Sequence, residues 1–556
     1  MVEDRNRTAV VVRVIAYCTV LGLGLLQALA TRYAMQSDGI SYLDMGDAIV
    51  RGDWGMAINA YWSPLYPLIL GLAMRIVRPS PYWQFTVVHL VNFVIYAFAF
   101  VSFDFFLERL LADRAVTNGG DSSRDLSRWL IRSLGYLSFC QLTLSLITLE
   151  RVSPDILMAG FVFLACGQLL HLRSRPTRIR SFALLGALLG VGYLAKAPLF
   201  PLSFLILGTA AVAGGEWRRR VPGVLTALLI FLSISGSYIA VISSAKGHLL
   251  FSDSPRINYL QIVDHASPGW YFQNLGLAGG RYIHPVRRLQ GDLPIYEFAY
   301  PIKGTQPIWY DPSYWTEGAV PRIIPRVWVA SVHNQLRAYV NLVRHGQLIL
   351  LVCFLLLACG TGVGALWRNL REEWPILVFT FAGLAMYSLS IVLGRYVAVF
   401  FILISAVWLR AVKGPIGPRA SRIRNVIAFA ALAALGTGLV WSTHQVMSGS
   451  PASNTQWEVV RDLVGLGVPE GAKVARIGGP YSADWARLAG LTVVAEVPGN
   501  FAESFWSASN QDQAMVISVF KGLGVKAIIA APPSQASQAG QGWHPLANGK
   551  FYALVF

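Results

Sequence analysis

Two carboxylates and two cations in this chain stand where charge is expensive. Asp38 sits in SDGISYLDMGDAI, Asp155 in TLERVSPDIL, Lys196 in GYLAKAPLF and Arg395, with Tyr396, in LGRYVAV. Each flanks a long apolar run. An ionisable group near the centre of a membrane helix costs about 2.5–3.5 kcal/mol, so such residues need a reason. A carboxylate beside an acceptor hydroxyl can take its proton during attack on a carbon centre. Lysine and arginine can stabilise an anionic phosphate as it leaves. Together they suit transfer of a group from a lipid phosphate held at the membrane surface. Displacement by the acceptor itself would invert the reacting carbon. Blander roles compete: Asp38 could cap the helix after it, Asp155 could favour a helix dipole, and Lys196 and Arg395 could reach for headgroups.

The elements that must hold these residues are membrane spans. Of the 556 residues, 54% are hydrophobic and 13% charged, and mean hydropathy is +0.50. A soluble chain would carry about 25% charged residues. The sequence therefore predicts an α-helical polytopic membrane protein of about eleven spans. They fall near 10–30, 82–107, 128–149, 155–172, 181–196, 198–214, 222–244, 346–366, 375–393, 396–411 and 425–444. Pro64 to Val77 is short and holds Pro67, which predicts a helix lying on the interface.

The net charge of +17 excludes no partner by itself, but its placement does. Arginines at 109–132, 173–180, 218–220, 368–371 and 410–424 fall in short loops, on one side if the N-terminus is inside. They set topology rather than bind nucleic acid. The first run ends in Ala28-Leu29-Ala30, which a signal peptidase could cut, but its length favours an uncleaved helix. The predicted location is a bacterial inner membrane, with a cytoplasmic N-terminus and a periplasmic C-terminal part. All five cysteines lie in apolar runs, and no His or Cys spacing suits a zinc site. No cofactor is required, although carboxylates could hold a divalent ion.

Outside the membrane the topology leaves loop 31–81, a loop over 245–345 and the region 448–556; residues 1–447 form the transmembrane unit. In the long loop, Arg287 and Arg288 are candidate phosphate contacts, because long loops escape the charge rule. Trp309, Tyr310, Tyr314 and Trp315 could stack on a sugar or sit in an interfacial belt, and Tyr42 is a further candidate contact. Asp44 and Asp47 read as a solvated helix face. His89 and Asn92, one turn apart, read as bundle hydrogen bonds. In the C-terminal region, KVARIG, LTVVAEV, KAIIAA and FYALVF have strand composition, and WEVVRDLVGLG and QAMVISVFKGLG have helical periodicity ending in Gly. An α/β domain is predicted. Its RIGGPYS turn lacks the glycine spacing of a dinucleotide site.

The order of these motifs resembles the GT-C superfamily of polyprenyl-phosphate-sugar-dependent glycosyltransferases, near the protein O-mannosyltransferase and lipid A aminoarabinose transferase branch. The resemblance runs over about residues 8–411. It rests on SDGISYLDMGDAI before YWSPLYPLILGLA, on SPDILMAGF, on YLAKAPLF and on GRYVAV. It implies Asp38 as the base, Asp155 as a second acidic site residue, and Lys196 and Arg395 as phosphate contacts. It implies a polyprenyl-phosphate-sugar donor and a lipid, glycan or protein acceptor. Two departures stand out: Asp38 is followed by Gly39 where many relatives have a second acid, and the Glu-Lys-Pro-Pro run of the aminoarabinose transferases is missing. A transporter of a lipid-linked solute would show related halves and mid-membrane charges, and neither is seen. A non-catalytic envelope-assembly protein is the remaining rival.

Overall fold

The computed structural model describes residues 2–117, 126–174, 178–214, 217–264, 279–289, 293–298, 302–344, 351–352, 355, 358, 361–413, 418–449, 453–478, 483–533 and 540–556. Among them, seven helices are long and apolar enough to cross a membrane: Val10–Ala30, Pro81–Ala112, Arg128–Ile147, Asp155–Ser174, Trp217–Lys246, Gly394–Ala411 and Asn425–Gly449. The helices predicted over 181–196, 198–214 and 375–393 are present, at 17, 14 and 15 residues. At 1.5 Å per residue they reach only about 21–26 Å, short of a hydrocarbon core of about 30 Å. The span predicted at 346–366 lies largely outside the described residues.

We label the helices that position the site: α1 (Val2–Ala30), α2 (Ser37–Arg51), α3 (Leu65–Val77), α4 (Gln84–Thr117), α5 (Arg128–Leu142), α6 (Asp155–Ser174), α7 (Ile179–Ala195), α8 (Leu199–Val212), α9 (Trp217–Lys246), α10 (Ser254–Ile262), α11 (Pro325–Leu342), α12 (Trp374–Ser388), α13 (Gly394–Ala411) and α14 (Pro418–Gly449). The bundle core is aromatic and aliphatic, with Phe100, Phe103, Phe139 and Phe163 packed between α4, α5 and α6. Its buried charge at Asp104 is paired, as a low-dielectric interior demands. Tyr17 and Tyr136 donate to Asp104 at 3.0 and 2.6 Å, and Arg13 pairs with the same carboxylate. Asp104 is twenty residues along α4 from Gln84, about 30 Å, so this cluster ties α1, α4 and α5 at the end of the bundle away from Gln84.

At the Gln84 end, α2 and α3 cross at very close range. A Cβ on Gly46 would lie 2.6 Å from Pro67 O, and one on Gly71 would lie 2.4 Å from Gly46 O. Only glycine permits that approach, and it fixes α2 against α3. Asn92 and His89 behave as predicted. Tyr66 donates to Asn92 Oδ1 at 2.6 Å. His89 sits 2.8 Å from the carbonyl oxygens of both Ala34 and Leu149. Gln27 accepts from Leu149 N at 2.8 Å and donates to Leu144 O at 3.0 Å. These bonds hold the turn that precedes α6 and leads into Asp155.

The C-terminal residues form a sheet with helices α15 (Thr455–Gly465), α16 (Asp484–Leu488) and α17 (Asn510–Gly522). Its strands are β1 (Arg287–Arg288), β2 (Tyr296–Glu297), β3 (Lys473–Ile477), β4 (Thr492–Val497), β5 (Ala527–Ala530), β6 (His544–Leu546) and β7 (Phe551–Val555). The order is β1-β2-β4-β3-β5-β7-β6. The central β3 pairs in parallel with β4 and β5, and the outer pairings are antiparallel. The central strands are buried along nearly their whole length, as parallel strands covered on both faces must be. Two of the seven strands come from the long loop, so the sheet is not built from 448–556 alone. The RIGGPYS turn lies partly outside the described residues.

Candidate active site

The four charged residues come from four elements and line one cavity. Asp38 is in the first turn of α2, where a carboxylate suits the helix dipole. It is not the cap, because Gln36 holds that position. Asp155 opens α6, Lys196 ends α7 and Arg395 lies in the first turn of α13. The cavity has a volume of about 190 Å³. Drug-sized ligands occupy roughly 300–1,000 Å³, so this one suits the reacting end of a larger molecule.

The groups touch in sequence. Lys196 Nζ donates to Asp155 Oδ1, and Ser153 Oγ donates to Asp155 Oδ2 at 2.8 Å. Arg395 Nε is 3.8 Å from Asp155 Oδ2, and its Nη2 is 3.4 Å from Asp38 Oδ2. Trp309 Nε1 donates to Asp38 Oδ1 at 3.0 Å. Tyr396 lies under both cations: Lys196 Nζ is 3.8 Å and Arg395 Cζ 5.0 Å from its ring centroid. Arg395 Nη2 also donates to Tyr396 Oη at 3.3 Å. Asp155 is almost fully buried, whereas Asp38 keeps 22% of its side chain exposed and Arg395 14%. Asp38 is therefore held by two donors yet still accessible.

The structure also explains Gly39. A Cβ there would lie 2.9 Å from Val152 Cβ and 2.4 Å from Met35 Sδ. A second acid beside Asp38 has no room, because the turn before α6 packs against that face.

Of the predicted contacts, Tyr42 and Trp309 line the cavity with Asp38, Asp155, Lys196, Arg395 and Tyr396. The others lie elsewhere. Arg287 and Arg288 are exposed on strand β1, with Arg287 Nη1 3.2 Å from Glu297. The loop folds into the sheet instead of over the cavity, which removes both from the phosphate position expected for them. Tyr310 is buried under Trp309, donating to Met56 O at 2.5 Å. Trp315 is buried and donates to Pro307 O at 2.8 Å. Tyr314 stacks on His284 at 3.8 Å. These three pack the loop rather than line the cavity. Sequence reasoning missed Tyr61 and Trp62, which lie in the quoted YWSPLYP segment, and Asn258 and Gln261 on α10, which no motif marked.

A second correction concerns Asp44 and Asp47, expected on a solvated face. Asp44 is buried and receives Thr305 N at 2.7 Å and Thr305 Oγ1 at 3.1 Å. Arg487, from α16, donates to Asp44 Oδ1 and lies equally close to Asp47 Oδ2, 2.7 Å each, and donates to Gln84 Oε1 at 3.1 Å. Burial pushes the Asp44 carboxyl above the ordinary carboxylate range, and Arg487 and Thr305 pull it back. This joint ties the sheet to the helix that carries Asp38. Among the described residues, no group of three or more His, Cys, Asp or Glu could hold a metal ion.

No protein-family model matches the chain, and no curated protein matches it in sequence. Its fold does have solved counterparts. ArnT from Cupriavidus metallidurans in the apo state superposes with a TM-score of 0.55 at 11% identity, covering 96% of this chain and 97% of that one. The same protein bound to undecaprenyl phosphate gives 0.53 at 11% identity, covering 97% of each chain. The chain thus shares the fold of ArnT over nearly its whole length.

Proposed function

We propose that this chain is an inverting glycosyltransferase that moves a sugar from a polyprenyl-phosphate-linked donor to an acceptor hydroxyl at the outer, periplasmic face of a bacterial inner membrane. One observation carries the proposal: four charged residues from four distant segments line a single cavity, with the carboxylate Asp38 accessible and two cations beside it. The fold shared with ArnT, which has been solved with undecaprenyl phosphate bound, supports the donor class.

In this scheme the acceptor oxygen attacks the anomeric carbon as its proton passes to Asp38. The bond between that carbon and the phosphate oxygen breaks, and polyprenyl phosphate leaves with both bonding electrons. Lys196 and Arg395 stabilise the charge that develops on it. Trp309 holds Asp38 by one oxygen. Asp155, expected as a second catalytic acid, serves here as the anchor that aims the two cations. Inversion follows because acceptor and leaving group occupy opposite faces of the sugar carbon. The acceptor is a lipid, glycan or protein hydroxyl.

The test is to incubate the purified protein with a panel of polyprenyl-phosphate sugars and follow donor consumption by mass spectrometry. Loss of donor with release of polyprenyl phosphate is the expected result. A panel left intact in the presence of membrane extract as acceptor source would count against the proposal.

A further inference from the structure

The cavity has one wall that the transfer scheme leaves idle. It is formed by α10, whose residues Ser254, Asn258 and Gln261 fall at i, i+4 and i+7 and all line the cavity. The opposite face of the helix is anchored. Ile257 and Leu260 are buried in a small core with Ala319. Arg256 clamps Asp253 and donates to Thr316 O at 3.0 Å and Ala319 O at 2.8 Å. Asp253 N donates to Ala60 O at 2.8 Å. The amide-bearing face is therefore held rigidly toward the cavity.

Gln261 Nε2 is shielded from solvent and has no hydrogen-bond partner among the described residues. A buried amide donor left unpaired is unfavourable and rare in native structures. With the side chain turned toward the cavity it lines, a ligand acceptor would complete it. Its chemistry can be narrowed. The charged groups lining the cavity are Asp38, Asp155, Lys196 and Arg395, and each is engaged with another of them. The transfer scheme assigns Lys196 and Arg395 to the phosphate, Asp38 to the acceptor proton and Asp155 to the cations, which leaves no charged group in the lining for a charge on the sugar. The α10 wall offers neutral amides, and Tyr61, Trp62 and Trp309 offer aromatic faces beside it. Amides reading hydroxyls next to aromatic rings suit an uncharged carbohydrate ring.

We infer that α10 is the sugar-reading wall of the site, with Asn258 and Gln261 bonding the hydroxyls of a neutral sugar rather than an amino sugar or a uronic acid. This rests on the transferase proposal and names the substrate class of the same cavity. A site that hydrogen-bonds a substrate hydroxyl discriminates strongly against an analogue lacking it.

The experiment compares kcat/KM of the full-length protein for polyprenyl-phosphate donors carrying a neutral hexose or pentose, an amino sugar and a uronic acid, and for singly deoxygenated forms of the best one. The wild type should prefer a neutral sugar and reject one deoxy form about 10-fold or more. Gln261→Leu should abolish that rejection while leaving binding of sugar-free undecaprenyl phosphate unchanged. Asn258→Leu provides an independent second variant, expected to relax rejection of a different deoxy form. A charged sugar as the preferred donor, or wild-type discrimination in both variants, would overturn the inference. Asp38→Asn run alongside separates the two levels: if it turns over like the wild type the transferase proposal fails, whereas an inactive Asp38→Asn beside unaltered discrimination in the α10 variants removes only this inference.

Discussion

Helix α2 carries two ionic clusters less than two turns apart, and they differ in kind. At its start, Asp38 faces Arg395 at 3.4 Å across a cavity, and the cluster continues through Asp155 to Lys196. Further along, Asp44 and Asp47 both hold Arg487 at 2.7 Å in a buried joint, with Thr305 filling the remaining acceptor sites on Asp44. In the second cluster Asp44 is buried and saturated by Arg487 and Thr305, while Asp47 keeps 26% of its side chain exposed. In the first, Lys196 and Asp155 pair closely, Arg395 makes longer contacts to both carboxylates, and the cavity leaves room for a ligand. The same residue types thus serve adhesion in one place and, by our proposal, chemistry in the other. What sets the first apart is the cavity its four residues line.

That contrast can be broken from either side. The largest effect should come from neutralising both cations of the open cluster. Lys196→Gln with Arg395→Gln should lower turnover by at least the roughly 10²–10³-fold typical of losing one electrostatic donor, measured as polyprenyl phosphate release. At the second cluster the expected effect is on stability alone. Arg487→Met strips the buried Asp44 of its counter-ion, and breaking a buried pair costs about 3–5 kcal/mol. The measurement is thermal unfolding of the purified protein, and a lowered Tm is expected. Asp44→Asn with Asp47→Asn added should recover part of that loss, because it removes the stranded charges.

A smaller effect belongs to the sheet. Burial pushes the Asp484 carboxyl up to about 7, against the pull of nearby Arg476. The folded state therefore binds this proton more tightly than the unfolded chain, whose carboxylate titrates near 3.9. The stabilisation is complete below about pH 4, declines as pH rises toward 7 and is gone above it. Denaturant unfolding monitored by tryptophan fluorescence should show that slope between pH 4 and 7, and Asp484→Asn should flatten it.

Much of this was legible in the sequence, for definite reasons. Long apolar runs forced a membrane bundle, and charges at their ends were too costly to be incidental, which brought Asp38, Asp155, Lys196 and Arg395 to notice before any geometry. The strands at 473–477, 492–497, 527–530 and 551–555 fall where composition put them. What could not be read was pairing across distance. Asp44 and Asp47 look solvated until Arg487, more than 400 residues away, is seen between them. Arg287 and Arg288 look like phosphate ligands until their segment is found pairing with β2 at the edge of the sheet. Asn258 and Gln261 carry no signal at all, since only the cavity gives an amide on a short helix its meaning.

The central claim is that the open cluster is a reaction centre. The most direct measurement is the rate of polyprenyl phosphate release by purified Asp38→Asn protein, with its affinity for undecaprenyl phosphate determined in parallel. The account predicts a fall of about 10²–10⁴-fold, the range for losing a general base, with affinity and Tm close to wild type. Release at the wild-type rate would contradict it.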